Sequence, residues 1–404
     1  MTVSSPHTPL RTLNASKLKI QYTTQPKPVP ASDAPEVISH SACTDHMLVA
    51  RWDDASGWAD PEIVPHGGLT LMLTASVLHY ATACFEGMKV HRGVDGKLRL
   101  FRPWLNCERM LKSSQRISLP SVDPAELLKL VRALCTVDGP KWLPKDTARG
   151  SGLYIRPTLI GTDHSLGFQV PQEALLFVVI SYWAAPGQNE LSISSTRAKP
   201  APRGLRLYAS PEDTVRAWPG GTGAAKLSAN YGPTLMSHAQ AKKLEYDQVL
   251  WLFGPECQIT EAGSSNFFVI WRTQEDKLQL VTAALHDQLI LPGVTRQSIL
   301  ELARERFATT KQNAHGDHIE ALEVLEGKLS MFDIIAAAEE ERLLAAFSVG
   351  TAAFVTPVSQ ILFRGQPIDI NEAAVPHVDA LRGWMTDIMY GKEISPWVDE
   401  VSED

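Results

Sequence analysis

Between Ala217 and Ala241 the chain reads AWPGGTGAAKLSANYGPTLMSHAQA and carries one formal charge, the ammonium of Lys226. Its neighbours are small, apolar or hydroxylated, so this lysine is poorly solvated once the chain folds. Desolvation disfavours the ammonium form, and the neutral amine is a nucleophile suited to forming an imine with a carbonyl. Taken alone, the pattern also fits a surface lysine in a glycine-rich loop. A second segment, QITEAGSSNFFVIW from Gln258 to Trp271, sets one carboxylate, Glu261, at the end of an apolar run. A small-residue turn follows, then an aromatic and β-branched strand. Such a carboxylate can pair with a cationic ring nitrogen or cap backbone N–H groups, and local sequence leaves both readings open. GGTGAAKLS is not a phosphate loop. That motif needs glycine before the lysine and Ser or Thr after it, and Ala225 and Leu227 stand there.

Further blocks occur in order: TDHMLV from Thr44, YATACFEGMKV from Tyr80, LFRPWLNCERML from Leu100, LYIRPTLIGT from Leu153, VRAWPGG from Val215, LILPGVTRQSIL from Leu289 and VGTAAFVTPV from Val349. With the two segments above, they resemble the branched-chain amino acid aminotransferases, pyridoxal 5′-phosphate (PLP) enzymes of fold-type IV, from about Lys17 to Tyr390. The resemblance implies an α/β (α+β) fold of two domains with the cofactor between them, and a homodimer. It implies transamination between leucine, isoleucine or valine and 2-oxoglutarate. A related enzyme of narrow specificity in a specialised metabolite pathway is the alternative. The full set of blocks disfavours a D-amino acid transaminase or an aminodeoxychorismate lyase. Joint retention of Lys226, Tyr231, Glu261, Arg109 and Thr351 disfavours a non-catalytic binding protein.

Residue by residue, the resemblance assigns Lys226 as the lysine that links to the cofactor and shuttles the proton. Glu261 is expected at the pyridine nitrogen and Tyr231 at the ring's phenolic oxygen. The phosphate is expected on Val294 and Thr295, where PGVTRQ feeds a helix whose first N–H groups suit an anion, and on Thr351 of the GTA loop. Arg109 supplies its cation, with Arg216 a further candidate. Arg102, Arg109 and Arg116 recur every seven residues, and the family pattern selects Arg109. Phe85, Tyr154 and Tyr80 match the walls of the substrate pocket, Tyr80 reaching across a dimer interface in relatives. Arg156, Ser264 and the Ala352 backbone match the substrate carboxylate region. Departures also occur. Phe168 stands where relatives carry a smaller aliphatic, SYWAAP from Ser181 does not follow the family wording, and Ala353 and Thr356 replace a thiol pair found in some animal members.

These residues need elements to hold them. Alternating apolar runs predict strands at 97–102, 174–182, 248–253, 266–271 and 279–281. Helical spacing predicts helices at 104–116, 124–134, 294–307, 331–341 and 378–390. Residues 1–40, rich in Pro, Ser and Thr, are expected to wrap loosely as an arm. A small domain over 41–185, a polar connection over 186–206 and a larger PLP-binding domain over 207–404 follow. The ending DEVSED reads as a solvated tail.

At 404 residues the chain can build two cores. No run approaches a membrane span. A net charge of −7 disfavours nucleic acid and anionic membrane as partners. Small amino acids and 2-oxo acids are the expected partners. Five scattered cysteines without CxxC spacing argue against a disulfide framework or a metal site. The first 32 residues carry basic residues and no acidic one, but five prolines oppose an amphipathic presequence helix. A cytosolic location is expected, with mitochondria the alternative.

Overall fold

The computed structural model describes residues 10–147, 150–184, 204–312, 318–352 and 354–403. The chain divides into two compact units. The first is built from residues 10–184, 226–229 and 389–403, the second from 204–225 and 230–388.

The first unit carries a ten-stranded sheet. Its long centre is the antiparallel pair Gly152–Gly161 and Glu173–Trp183. Buried and half-buried residues alternate along both strands, the two-residue period of a sheet with one well-covered face. Leu153, Ile155, Val178 and Ile180 are buried with Val90, Leu98 and Leu100. The helices Pro103–Arg116 and Pro124–Trp142 pack on each other. Asp123 caps the second by accepting from the Ala125 and Glu126 N–H groups, and Pro124 fills its first position. This helix continues through Pro140, beyond the expected stop at 134, because Leu127, Leu130, Val131, Leu134 and Trp142 keep one face buried.

Two expectations about the chain ends change. The arm is partly built into the sheet, where Lys19 and Ile20 pair in parallel with Glu62 and Ile63. The Thr23 N–H donates to His46 Nε2 at 2.9 Å, and the Lys27 N–H to Asp45 Oδ1 at 2.7 Å. At the other end, Val398–Val401 is a strand pairing with Leu98–Phe101, not a solvated tail. That pairing groups residues 389–403 with the first unit, whereas the sequence reading placed them in 207–404.

The second unit holds a nine-stranded sheet. Six of its strands, at 205–209, 248–253, 258–262, 265–272, 343–350 and 354–363, pair in a ring and close a barrel. Phe267, Val269, Leu250, Leu343 and Val358 fill the core, with Ile334 and Ala337 of the helix Met331–Glu339. Ser330 and Asp333 cap that helix reciprocally. The connection expected at 186–206 lies outside the described residues except for 204–206, of which Leu205 and Arg206 begin a barrel strand.

Candidate active site

Lys226 belongs to the first unit, and its backbone is pinned there. Its N–H donates to Ser113 Oγ at 2.9 Å, and its carbonyl accepts from the Phe85 N–H at 3.1 Å. Cys84 and Leu227 form a β-bridge alongside. The side chain is half-buried, with Nζ 5.0 Å from the Phe85 ring centre.

One residue further on, Glu86 is fully buried. Its Oε1 accepts from Arg109 Nε at 2.6 Å, and its Oε2 accepts from Arg109 Nη2 at 2.8 Å and Asn106 Nδ2 at 2.9 Å. Burial opposes ionisation of this carboxyl. The charge and hydrogen bonds of Arg109, with Lys226 and Asn106, outweigh it and hold the group below its ordinary value. Sequence reasoning selected Arg109 but missed Glu86, although a lone carboxylate in the apolar run ACFEGM was a usable signal. The other two arginines of the seven-residue series serve elsewhere. Arg102 lies over the Trp397 ring at 4.3 Å, and Arg116 is exposed.

Phe85, Tyr154 and Arg156 are brought together in this unit. The Arg156 guanidinium sits 4.7 Å from the Phe85 ring centre and donates to Tyr154 Oη at 3.2 Å. Gly87 permits this arrangement, because a Cβ there would fall 2.0 Å from Tyr154 Oη. Tyr80 lies apart, on the surface. Its hydroxyl donates to the Leu166 carbonyl, and its ring meets Phe168 edge-on at 5.5 Å.

In the second unit, one end of the barrel gathers the remaining candidates. Gly263 and Ser264 make the two-residue turn between Gln258–Ala262 and Ser265–Arg272, which sets Glu261 opposite Asn266. Gly263 has φ +60, a conformation that favours glycine, and a Cβ there would press on Gln248 Oε1 at 2.3 Å. Glu261 is buried. Its Oε1 accepts from the Leu291 N–H at 2.8 Å and Asn266 Nδ2 at 3.4 Å, and its Oε2 pairs with Arg216 Nη2 at 3.0 Å. Arg216 also donates to the Leu289 carbonyl, while its buried Nε has no partner among the described residues. Arg216, Tyr231, Glu261 and Ser264 line one small cavity.

Val294 and Thr295 open the helix Val294–Arg306. Its cap, Gly293, approaches Asn266 so closely that a Cβ would fall 2.1 Å from Oδ1. Thus Asn266, not foreseen from sequence, ties the helix start to Glu261. Gly350 similarly abuts Ser265, which brings Thr351 and Ala352 to the same barrel end. Among the described residues no group of three or more His, Cys, Asp or Glu side chains could hold a metal ion. No described helix is long and apolar enough to cross a membrane.

The first unit thus offers a pinned lysine, and the second a buried, oriented carboxylate and a helix start whose cap makes no side-chain hydrogen bond. Residues 83–361 match the family described as Amino-transferase class IV. The chain is 42% identical to the mitochondrial branched-chain-amino-acid aminotransferase of Schizosaccharomyces pombe, covering 95% of this chain and 85% of that one. It is 41% identical to the cytosolic one of Mus musculus, covering 96% and 94%. The solved branched-chain aminotransferase of Thermoproteus uzoniensis shares the fold at TM-score 0.64 and 22% identity, over 88% of this chain and 100% of that one. The chain belongs to the class IV aminotransferases and, within them, to the branched-chain-amino-acid aminotransferase family.

Proposed function

We propose that this protein exchanges amino groups between branched-chain L-amino acids and 2-oxoglutarate, with PLP as cofactor and as a homodimer. The observation that carries the reading is the fixed position of Lys226 against Phe85, in a chain whose relatives at about 42% identity are named for this reaction.

The residues present fit the cofactor. A buried carboxylate held by two N–H donors suits a protonated ring nitrogen, and the orphaned Arg216 Nε is a donor awaiting an acceptor. Glu261 and Tyr231 would hold the ring. Val294, Thr295 and Thr351 would hold the phosphate, with Arg109 and Arg216 supplying positive charge. When bound, PLP supplies an electron sink for the carbanion at the substrate α-carbon. Lys226 would take the proton from that α-carbon and hand it on to the cofactor's C4′, and would move a proton the opposite way in the other half-reaction. Glu261 would keep a proton on the ring side of the site. Phe85 and Tyr154 would exclude water and accept an aliphatic side chain, with Tyr80 closing the wall. Ser264, the Ala352 backbone and Arg156 would receive carboxylate oxygens.

The homodimer is supported by an apolar surface on the first unit. Leu73 is 85% exposed and Phe168 88%, with Met72, Leu78 and Leu166 also exposed beside Tyr80. A patch of this kind marks an interaction surface.

The test is direct. The purified protein should absorb in the visible range, and borohydride reduction followed by peptide mapping should label Lys226. kcat/KM measured over leucine, isoleucine, valine, phenylalanine, alanine and aspartate should favour the three branched substrates. They should lie close together, because one methylene in an apolar pocket is worth only ~1–3 kcal/mol. A wide lead for aspartate or alanine would sink the branched-chain reading while leaving the PLP chemistry standing.

A further inference from the structure

Serine is a weak helix former, because its hydroxyl competes for backbone groups, and alanine is the better choice at a small buried position. The helix Pro103–Arg116 nevertheless buries two serines side by side, Ser113 and Ser114. Ser114 is accounted for locally, since its hydroxyl donates to the Leu111 carbonyl at 2.9 Å, one turn back. Ser113 reaches out of the helix. It is 0% exposed, and its Oγ accepts the Lys226 N–H at 2.9 Å, from the far side of the sequence.

Ser113 ends a stripe of three buried polar side chains. Asn106, Arg109 and Ser113 are spaced by three and four residues, so they share one face of the helix. Asn106 donates to the Glu86 carboxylate and the Gly87 carbonyl, Arg109 donates to Glu86, and Ser113 receives Lys226. One helix face thus holds both the Glu86–Gly87 segment and the backbone of the lysine.

The lysine's own stretch of chain has few residues with which to hold itself. Residues 226–229 cluster with the first unit, whereas 204–225 and 230–388 belong to the second. In the second unit Asn230 fastens the root of this excursion. It donates to the Thr222 and Ala225 carbonyls at 2.9 Å each and accepts from Thr222 Oγ1 at 2.7 Å. In the first unit Lys226 is gripped on both sides of its Cα. The Phe85 N–H fixes the peptide plane after it, at 3.1 Å from the Lys226 carbonyl, and Ser113 fixes the plane before it. Since peptide units are planar, fixing both planes fixes the backbone dihedrals at Lys226 and the direction in which its side chain departs. With the Phe85 contact alone, the preceding plane could turn, and the long side chain would magnify that error at Nζ.

We propose that Ser113 is a positioning residue for Lys226. By accepting the Lys226 N–H it aims the side chain, and so places Nζ for proton transfer at the substrate α-carbon in the transamination proposed above.

The test uses holoenzyme variants Ser113→Ala, which removes the acceptor while improving helix propensity, and Ser113→Thr, which keeps the hydroxyl. Amide hydrogen exchange at Lys226 is read by mass spectrometry on peptides spanning residues 222–232. The half-reaction with L-leucine is followed by cofactor absorbance in single turnovers, with and without deuterium at the α-carbon. In Ser113→Ala the Lys226 amide should exchange at least tenfold faster, and the half-reaction should slow about tenfold at saturating leucine. The deuterium isotope effect should rise, because a misplaced amine slows the proton transfer selectively. KM should change little. Ser113→Thr should restore both rate and exchange. Ser113→Cys, nearly isosteric but a weaker acceptor, should fall between, which keeps the test decisive if the threonine methyl cannot be packed. A slower reaction with an unchanged isotope effect would reduce Ser113 to helix packing and overturn the proposal. Unchanged exchange, or faster exchange at a wild-type rate, would overturn it too. Wild-type protein that does not transaminate leucine fails the proposed function instead, and the exchange measurement still decides whether Ser113 holds Lys226.

Discussion

Glu86 and Arg109 meet at two points inside the first unit, both side chains buried, with the carboxylate bonded to Arg109 Nε and Nη2. Arg109 was selected for a cofactor phosphate, yet in this structure its fork is oriented by a carboxylate. The pair fixes the guanidinium plane and leaves the two charges balanced. Glu86 thereby makes Arg109 a positioned cation and not a mobile one.

Glu86→Gln should therefore be costly. Removing one partner of a buried pair leaves an uncompensated charge, at about 3–5 kcal/mol, which denaturant titration will read. The pH dependence has a definite sign. The folded carboxyl is held below its ordinary value, so its stabilisation is present above the unfolded value of about 4.3 and is lost as pH falls through the lower folded value. The acid limb of the stability curve should flatten in Glu86→Gln. A variant with wild-type stability at pH 7 would show that Arg109 finds another partner.

Glu261→Gln should keep bound PLP and lose rate. An amide preserves the shape of the site and the contact with Leu291 N–H through its oxygen, but it holds a ring proton poorly. A fall of roughly 100-fold in kcat is expected, with cofactor content measured on the same sample. Near-normal turnover would reduce Glu261 to a backbone cap.

Tyr80 belongs to the exposed apolar surface of its own unit, packed against Phe168. If that surface meets a second copy, mixing inactive Tyr80→Ala with inactive Lys226→Ala subunits should restore one competent centre per heterodimer. Activity that stays at the level of the separate variants, despite mixing confirmed by mass, would place Tyr80 outside the site. In the same setting Phe168→Val should change the ranking of leucine, isoleucine and valine, and an unaltered ranking would remove Phe168 from the pocket.

Mild peroxide should leave activity largely intact. Ala353, which lies outside the described residues, and Thr356 stand where a thiol pair is found in some relatives. The remaining thiols are poor nucleophiles, since the thiolate is the reactive form. Burial, aided by Glu86, pushes Cys84 up to about 12, and burial likewise raises Cys43, Cys107, Cys135 and Cys257. Rapid inactivation reversed by dithiothreitol would show that one of them becomes exposed in solution.

Local patterning was legible wherever one face of an element is buried. The strand Gln248–Phe253 and the start of the helix at Val294 match their expected bounds, because turn residues and apolar period agree there. Other bounds moved by a few residues, and the helix from Pro124 ran further than its clearest apolar stretch because packing outweighs a late proline. Lys226 and Glu261 stood out because each is a lone charge among small or apolar residues. Glu86 carried the same kind of signal in ACFEGM, but its weight comes from Arg109, a partner outside that run, and Asn266 had no local signal because its significance arises from Glu261 and Gly293. The return of Val398–Val401 to the first sheet was invisible for the same reason, having no local signal beyond an acidic ending.

That returning strand also orders events during synthesis. Leu98–Phe101 leaves the ribosome roughly 300 residues before its neighbour Val398–Val401 is made. At about 5–20 residues per second, the nascent first unit therefore waits some 15–60 s with an open sheet edge, and also without Lys226, which arrives in between. Unpaired edges invite pairing with other chains. A nascent protein of this design has its greatest need of a chaperone in that interval, and a ribosome stalled before residue 398 holds an N-terminal unit whose sheet is still one strand short.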